Sequence, residues 1–457
     1  MKELKDSIDF GRDNVRALFN RLFYPTLLGM VFSMVLNVTD GIFVGRGIGS
    51  LALAAVNIVA PLFTLSGGIA LMLGMGGSVV ASIHLSKGND RTARIVASQS
   101  VAATVAVLVL FSAVLLIWPG PVLRLFGCSD TMLPYASDYL STFAPFMFAN
   151  GVILTTEFFI RLDGSPKYAM AGSMFACVLN IFLDWLFIFP FGWGLHGAAL
   201  ATGISMVAGA VFLASYLLDK NHNIRFSAFK ISTLRAWMHT LRNCGYMCRL
   251  GFSSMFAQFA VALMIIIGNN IFVRLDGDTG VAAFSVVCYL MPIVFMVYDA
   301  VSMAAQPVQS FNYGTGDFLR VKKAFRVALA TGVGYAVFVV LLTTVFAPSV
   351  VYVFIDPADP ANPLAVEGLR LFSAGFVPMA VNIVVMSYFQ SIERVIPATV
   401  ISLLRGIVFM LLCLLLMSRL WGNEGAWLAI PASEILTMAV TLTMLACVKP
   451  ERKNSAA

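Results

Sequence analysis

Long apolar runs, each about as long as a bilayer crossing, alternate along this chain with short breaks that are polar or rich in Pro and Gly. A helix needs about 20 mostly apolar residues to cross the hydrocarbon, and such runs fall at 22–44, 51–82, 95–118, 135–160, 168–190 and 197–218. A second set falls at 250–273, 281–306, 325–347, 369–390, 397–418 and 425–447. The pattern predicts an all-α integral membrane protein with twelve transmembrane helices.

The second set repeats the first. DGIFVG at 40–45 can be laid on NNIFVR at 269–274, the LALAAV that follows on GVAAFS, and LHGAALA at 195–201 on NEGAWLA at 423–429. Six helices that begin and end on one side place the two copies in the same orientation, as in transporters with parallel repeats. The expected organisation is an N-terminal lobe at 1–218, a linker at 219–249 and a C-terminal lobe at 250–457. The linker is the longest polar stretch, and its basic, amphipathic sequence suggests a helix lying on the inner membrane surface.

Composition agrees: 59% of the 457 residues are hydrophobic, 12% are charged, and mean hydropathy is +0.88, beyond the range of soluble domains. The net charge of +7 is a topology signal. With the N-terminus inside, 24 of the 30 Lys and Arg fall on cytoplasmic segments and five on outside loops, while Arg405 lies within a span. This is the positive-inside asymmetry, and it places both termini in the cytoplasm. The charged first 20 residues lack the short apolar core and cleavage site of a signal peptide. Scattered basic loops do not form the clustered face that nucleic acid requires.

The seven cysteines include no C-x-x-C pair, and the four histidines, His84, His196, His222 and His239, lie at span edges or in loops. Neither a metal site nor a histidine proton relay is expected. The glycine-rich GGIALMLGMGG at 67–77 lacks the phosphate-loop pattern, so the energy source is expected to be an ion gradient rather than ATP. Small residues there point to close helix packing.

Acids inside the spans carry the candidate chemistry, because an ionisable residue in a transmembrane helix costs about 2.5–3.5 kcal/mol even on lenient insertion scales. They are Asp40, Glu157, Asp184, Asp299 and Glu434. Asn180 precedes Asp184 by four residues and lies about 40° away on the same helical face; Asn37 and Asp40 form a similar pair. Thr202, with the carbonyl of Ala198, can face them from the sixth helix. A carboxylate in a low-dielectric pocket can hold a proton, and the same oxygens can coordinate Na⁺, so an ion-coupling site is expected; a structural role at a helix bend is the alternative. In the second half Asn269 matches Asp40, and an apolar stretch around 409–413 matches Asn180 to Asp184. That half offers Gln258, Asn269, Gln306 and Asn382, with Asp299, Glu434 and Arg405 as further candidate polar or substrate-contacting residues. The 23 Met and 37 Phe suit an adaptable apolar cavity, although helix packing accounts for any single one.

With these residues in place the chain resembles the multidrug and toxic compound extrusion (MATE) family, its bacterial multidrug exporters in particular. The resemblance runs through YPTLLGMVFSMVLNVTDGIFVGRGIGSLALAAVNIVAP, HLSKGND, RLDGSPKYAMAGSMFACVLNIFLDWLFIF and GLHGAALATGIS, then QPVQSFNYGTGDFLRVKKAF and RLWGNEGAWLAIPASEIL. It implies two pseudo-symmetric six-helix lobes in a V shape and export of organic cations in exchange for H⁺ or Na⁺. It also implies an ion-coupling cluster at Asp40, Tyr139, Asn180, Asp184 and Thr202. Acids that some relatives carry in the second lobe are replaced here by Asn269 and neutral groups such as Asn382.

The expected protein is therefore an antiporter of the bacterial inner (cytoplasmic) membrane, not an enzyme. Its partners are small organic cations and the lipid bilayer; it needs no cofactor, and a monomer is the default. Two alternatives are a lipid-linked sugar flippase of the same superfamily, for which Arg405 would be the diphosphate counterion unless Glu434 pairs with it, and a non-transporting membrane scaffold.

Overall fold

The computed structural model describes residues 8–126, 128, 130, 132–229 and 233–448, with backbone alone at 50, 51, 53, 54, 262 and 278. The tails on which the topology reading partly rests, 1–7 and 449–457, lie outside the described residues. Among the described residues every regular element is a helix.

Six long helices form the first half: α1 (Val15–Gly47), α2 (Ser50–Ser86), α3 (Asp90–Ile117), α4 (Leu133–Leu162), α5 (Pro166–Ile188) and α6 (Gly194–Leu218). The second half holds α7 (Leu234–Gly277), α8 (Thr279–Thr315), α9 (Phe318–Val345), α10 (Ala361–Ser373 with Phe376–Ser391, bent by 44°) and the stretch Val395–Cys447. That last stretch runs for 53 residues, about 80 Å at 1.5 Å per residue, more than twice the hydrocarbon thickness. It is broken at Trp421 (φ −125°) and Gly422 (φ 56°, ψ −128°), dividing α11 (395–420) from α12 (423–447). Counted so, the helices are consistent with twelve spans.

Sequence chemistry explains several boundaries. The side chain of Asn14 accepts from Arg16 N–H (3.0 Å), and α1 starts at Val15, ahead of the apolar run that begins at 22. Asn89 and Asp317 cap α3 and α9 in the same way. Pro166 occupies the first turn of α5, where its missing N–H leaves no intrahelical bond unmade. The two halves repeat even their irregularities. Each has a short helix before its fourth long one, Pro119–Leu125 and Ala347–Tyr352, and each fourth helix is interrupted, by a 3₁₀ turn at Ala144–Phe146 and by the bend between Ser373 and Phe376.

Two compact units are present, one built on Asn20–Met255 and the other on the chain from Phe256 onward together with Asn14–Phe19. Each has its own core, around residues such as Leu62, Tyr139, Phe159 and Leu213 in the first and Phe272, Phe284, Tyr298 and Trp427 in the second. The linker differs from the expectation of a separate surface helix. From Leu234 onward it is one helix with the seventh span, unbroken as far as Gly277, and it packs into the first unit.

Glycine makes that packing possible. A Cβ on Gly76 of α2 would lie 2.0 Å from the carbonyl oxygen of Met247, and one on Gly251 of α7 would lie 1.9 Å from that of Met72. The two helices therefore cross backbone to backbone through a glycine on each side. Gln99 Nε2 donates to Thr240 Oγ1 (3.1 Å), and Asn243 Nδ2 donates to Gln99 Oε1 (3.3 Å). The glycine-rich run of α2 is thus a packing surface, as its small residues suggest.

Candidate functional site

In the first unit, α1, α4, α5 and α6 bring five polar side chains into one buried cluster. Asn180 and Asp184 are fully buried, and Asp40, Tyr139 and Thr202 are 8%, 5% and 6% exposed. One turn separates Asn180 from Asp184, so both leave the same face of α5. Asn180 Nδ2 reaches Thr202 Oγ1 across the helix pair (3.5 Å), and Thr202 Oγ1 donates to Ala198 O (3.1 Å). The Asp40 and Asp184 carboxyls lie within electrostatic reach of each other and of the Tyr139 hydroxyl, and the Tyr139 ring stacks on Phe143 (5.9 Å between centroids). Small residues let these helices approach closely enough to bury the acids: Gly172 of α5 faces Leu213, and Gly209 of α6 faces Ala176.

What sets the cluster apart is its shortage of donors. Both oxygens of Asp184, Oδ1 of Asp40 and Oδ1 of Asn180 are buried with no hydrogen-bond partner among the described residues. An ionised carboxylate without donors in such surroundings is costly. Asn37 stays outside it: this residue is exposed, and its amide donates to Ser33 O on its own helix (2.9 Å). Glu157 is committed elsewhere, accepting from Arg161 Nη2 (3.1 Å) and from Ser173 Oγ. Arg161 is itself only 4% exposed, a second largely buried base in addition to Arg405. Because α4 stays helical through Leu162, Arg161 faces Glu157 one turn away rather than entering a loop.

The second unit contains a different arrangement. Arg405 Nε donates to Glu434 Oε1 (2.5 Å), and Asn382 Nδ2 donates both to Glu434 Oε2 (2.8 Å) and to the Glu434 carbonyl (3.0 Å). The Arg405 guanidinium lies over the Phe295 ring, 5.1 Å from its centroid, and Asp299 is within electrostatic reach of it. The turn of α11 that carries Arg405, Leu404–Val408, is wound as a π-helix. Of the other polar candidates, Gln306 donates to Ser310 Oγ on its own helix (3.1 Å), while Gln258 and Asn269 are half-buried. The contributions of Asn382 and Phe295, which lie far from Arg405 in sequence, had no local signal beyond the type of residue. Among the described residues no three His, Cys, Asp or Glu side chains converge as metal ligands.

The repeated helices and the buried polar clusters within apolar spans define a multi-pass membrane protein. The MatE family profile matches residues 25–186 and again 253–416, and the chain belongs to that family, the MATE transporters. It is 24% identical over 422 residues to the multidrug export protein MepA of Staphylococcus saprophyticus, covering 92% of this chain and 91% of that one. It is 25% identical over 433 residues to the FAD transporter of Shewanella oneidensis, covering 92% of both. Its fold matches the outward-facing conformation of a multidrug resistance MATE family transporter of the MOP superfamily, with a TM-score of 0.87, 23% identity and 96% of each chain covered. A MOP superfamily transporter from Pyrococcus furiosus, described by the reverse polarity of its binding pocket, matches equally well in fold (TM-score 0.87, 22% identity, 96% of each chain).

Proposed function

We propose that this protein is a secondary antiporter that exports amphipathic organic cations across the bacterial cytoplasmic membrane in exchange for H⁺ or Na⁺, with both termini in the cytoplasm and no bound cofactor. The observation that carries this reading is the pair of buried, donor-poor carboxylates Asp40 and Asp184 on helices α1 and α5. Such a pair changes its charge when an ion arrives, and an ion shifts a two-state equilibrium only by binding one state better than the other. Loading from outside neutralises the cluster and favours the state that releases the exported compound; unloading to the cytoplasm resets it. Tyr139, Asn180 and Thr202 supply the hydroxyl and amide groups around the ion.

Efflux of a fluorescent organic cation in inside-out vesicles, with pH and Na⁺ gradients imposed separately, tests this reading. One gradient is expected to drive transport, and both Asp40→Asn and Asp184→Asn are expected to abolish it at unchanged expression. Unchanged transport in both variants would make the acids structural. The relative named as an FAD transporter makes flavin adenine dinucleotide the second substrate to assay in the same vesicles.

A further inference from the structure

The Arg405–Glu434 pair stands at a cavity lined by Met264, Met291, Met379 and Met410 and by Phe295. The two charges are not held equally. The Glu434 side chain is 4% exposed; its Oε2 accepts from Asn382 Nδ2 (2.8 Å), which also donates to the Glu434 backbone carbonyl (3.0 Å). Arg405 is 11% exposed at the end of a long flexible stem, and the π-helical turn beneath it departs from ideal α geometry. Its guanidinium has what an organic cation requires: a carboxylate at 2.5 Å, an aromatic face at 5.1 Å, and polarizable thioethers alongside. Asp299 adds a second acid within its electrostatic reach. Lifting the arginine away would leave a fixed carboxylate and an aromatic ring in an adaptable apolar pocket.

We propose that the second unit carries an organic-cation site of its own, in which Arg405 is a tethered occupant that competes with the transported cation for Glu434 and Phe295. The tether gives Arg405 a high effective concentration at that site, so it masks the site until a cation of sufficient affinity displaces it. Displacement moves a positive charge off Glu434 and onto the α11 turn, a conformational signal the incoming cation itself delivers. The transported class is taken from the function proposed above, but occupancy of the site is an equilibrium property and can be measured without transport.

The test is binding of benzyltrimethylammonium to the purified, detergent-solubilised protein, followed by equilibrium dialysis and by the shift in thermal unfolding midpoint. Arg405→Met removes the tethered charge at similar volume and is expected to bind at least about tenfold tighter than the wild type. Adding Glu434→Gln to that variant is expected to abolish the gain, whereas Asp40→Asn with Asp184→Asn leaves it intact. Should Arg405→Met not fold, Arg405→Lys keeps the charge, loses the planar fork, and is expected to bind the probe about threefold tighter. Binding no tighter than wild type in whichever arginine variant folds overturns the proposal, as does an undiminished gain after Glu434→Gln. Binding of benzoate to Glu434→Gln, with no cation gain in Arg405→Met, would make the site one for anions and also overturn it. If the vesicles show no cation efflux while the binding gain is present, the functional reading fails and this site stands.

Discussion

The two units solve the problem of a buried acid in opposite ways. In the first, both carboxyl oxygens of Asp184 and Oδ1 of Asp40 are buried with no hydrogen-bond partner among the described residues. In the second, Glu434 is met by a guanidinium and an amide. Of the helices involved, α4 to α6 in one case and α10 to α12 in the other occupy the same places in the two repeats. One fold thus holds both a buried acid without a charged partner and a buried acid paired within the protein. A buried acid with few donors can change its charge state and so respond to an ion; an acid already paired can respond only to a group that competes with its partner for it.

The sharpest way to break this contrast is at Asp184. Asp184→Asn is expected to reduce ion-driven efflux at least about 100-fold while leaving the unfolding midpoint in detergent unchanged or raised, since it replaces an acid that lacks donors with a neutral isostere. A large drop in that midpoint would mean the acid is structural.

Glu434 is expected to behave in reverse. Removing Arg405 alone leaves an uncompensated buried charge and is expected to cost about 3–5 kcal/mol of stability. Arg405→Met with Glu434→Gln is expected to recover most of it, and denaturant unfolding of the two variants measures the difference. Equal stability of single and double variants would show that the pair is not coupled.

A smaller effect separates the linker from the unit it packs against. Gly76→Ala puts a methyl group within 2.0 Å of the Met247 carbonyl oxygen and is expected to cost about 1–3 kcal/mol by overpacking, visible as faster proteolysis between α6 and α7. The smallest concerns the two turns that close α4 and α10. Gly164 has φ 83° and Glu393 has φ 57°, a region that costs a non-glycine residue about 1–2 kcal/mol. Gly164→Ala is expected to destabilise by about 1 kcal/mol, and Glu393→Gly to stabilise by less than that because the Glu393 side chain loses its own contacts. A thermal melt of each variant reads the sign.

Much of this was legible along the chain. The apolar runs marked the spans because hydrocarbon admits few charges, and the spacing of Asn180 and Asp184 put both on one face because a helix has 3.6 residues per turn. The extent of α7 was not legible, because residues 234–249 carry the charges that mark a linker, and only their docking on α2 and α3 makes them an extension of the helix. Asn37 shared the spacing of its neighbour Asp40, yet it turns back to the Ser33 carbonyl; helical periodicity assigns a face but not a partner. Arg161 falls just past the apolar run at 135–160, and only the continuation of α4 buries it against Glu157.

The sequence by itself determined that this is a polytopic helical membrane protein with an internal repeat and a few acids placed where charge is costly, because hydropathy and helical period are local properties. Only the tertiary structure decided which of those acids is compensated. Compensation depends on donors from distant helices, Asn382 and Arg405 for Glu434 and none for the carboxyl of Asp184 among the described residues. Nothing in the neighbouring residues of either acid encodes that difference.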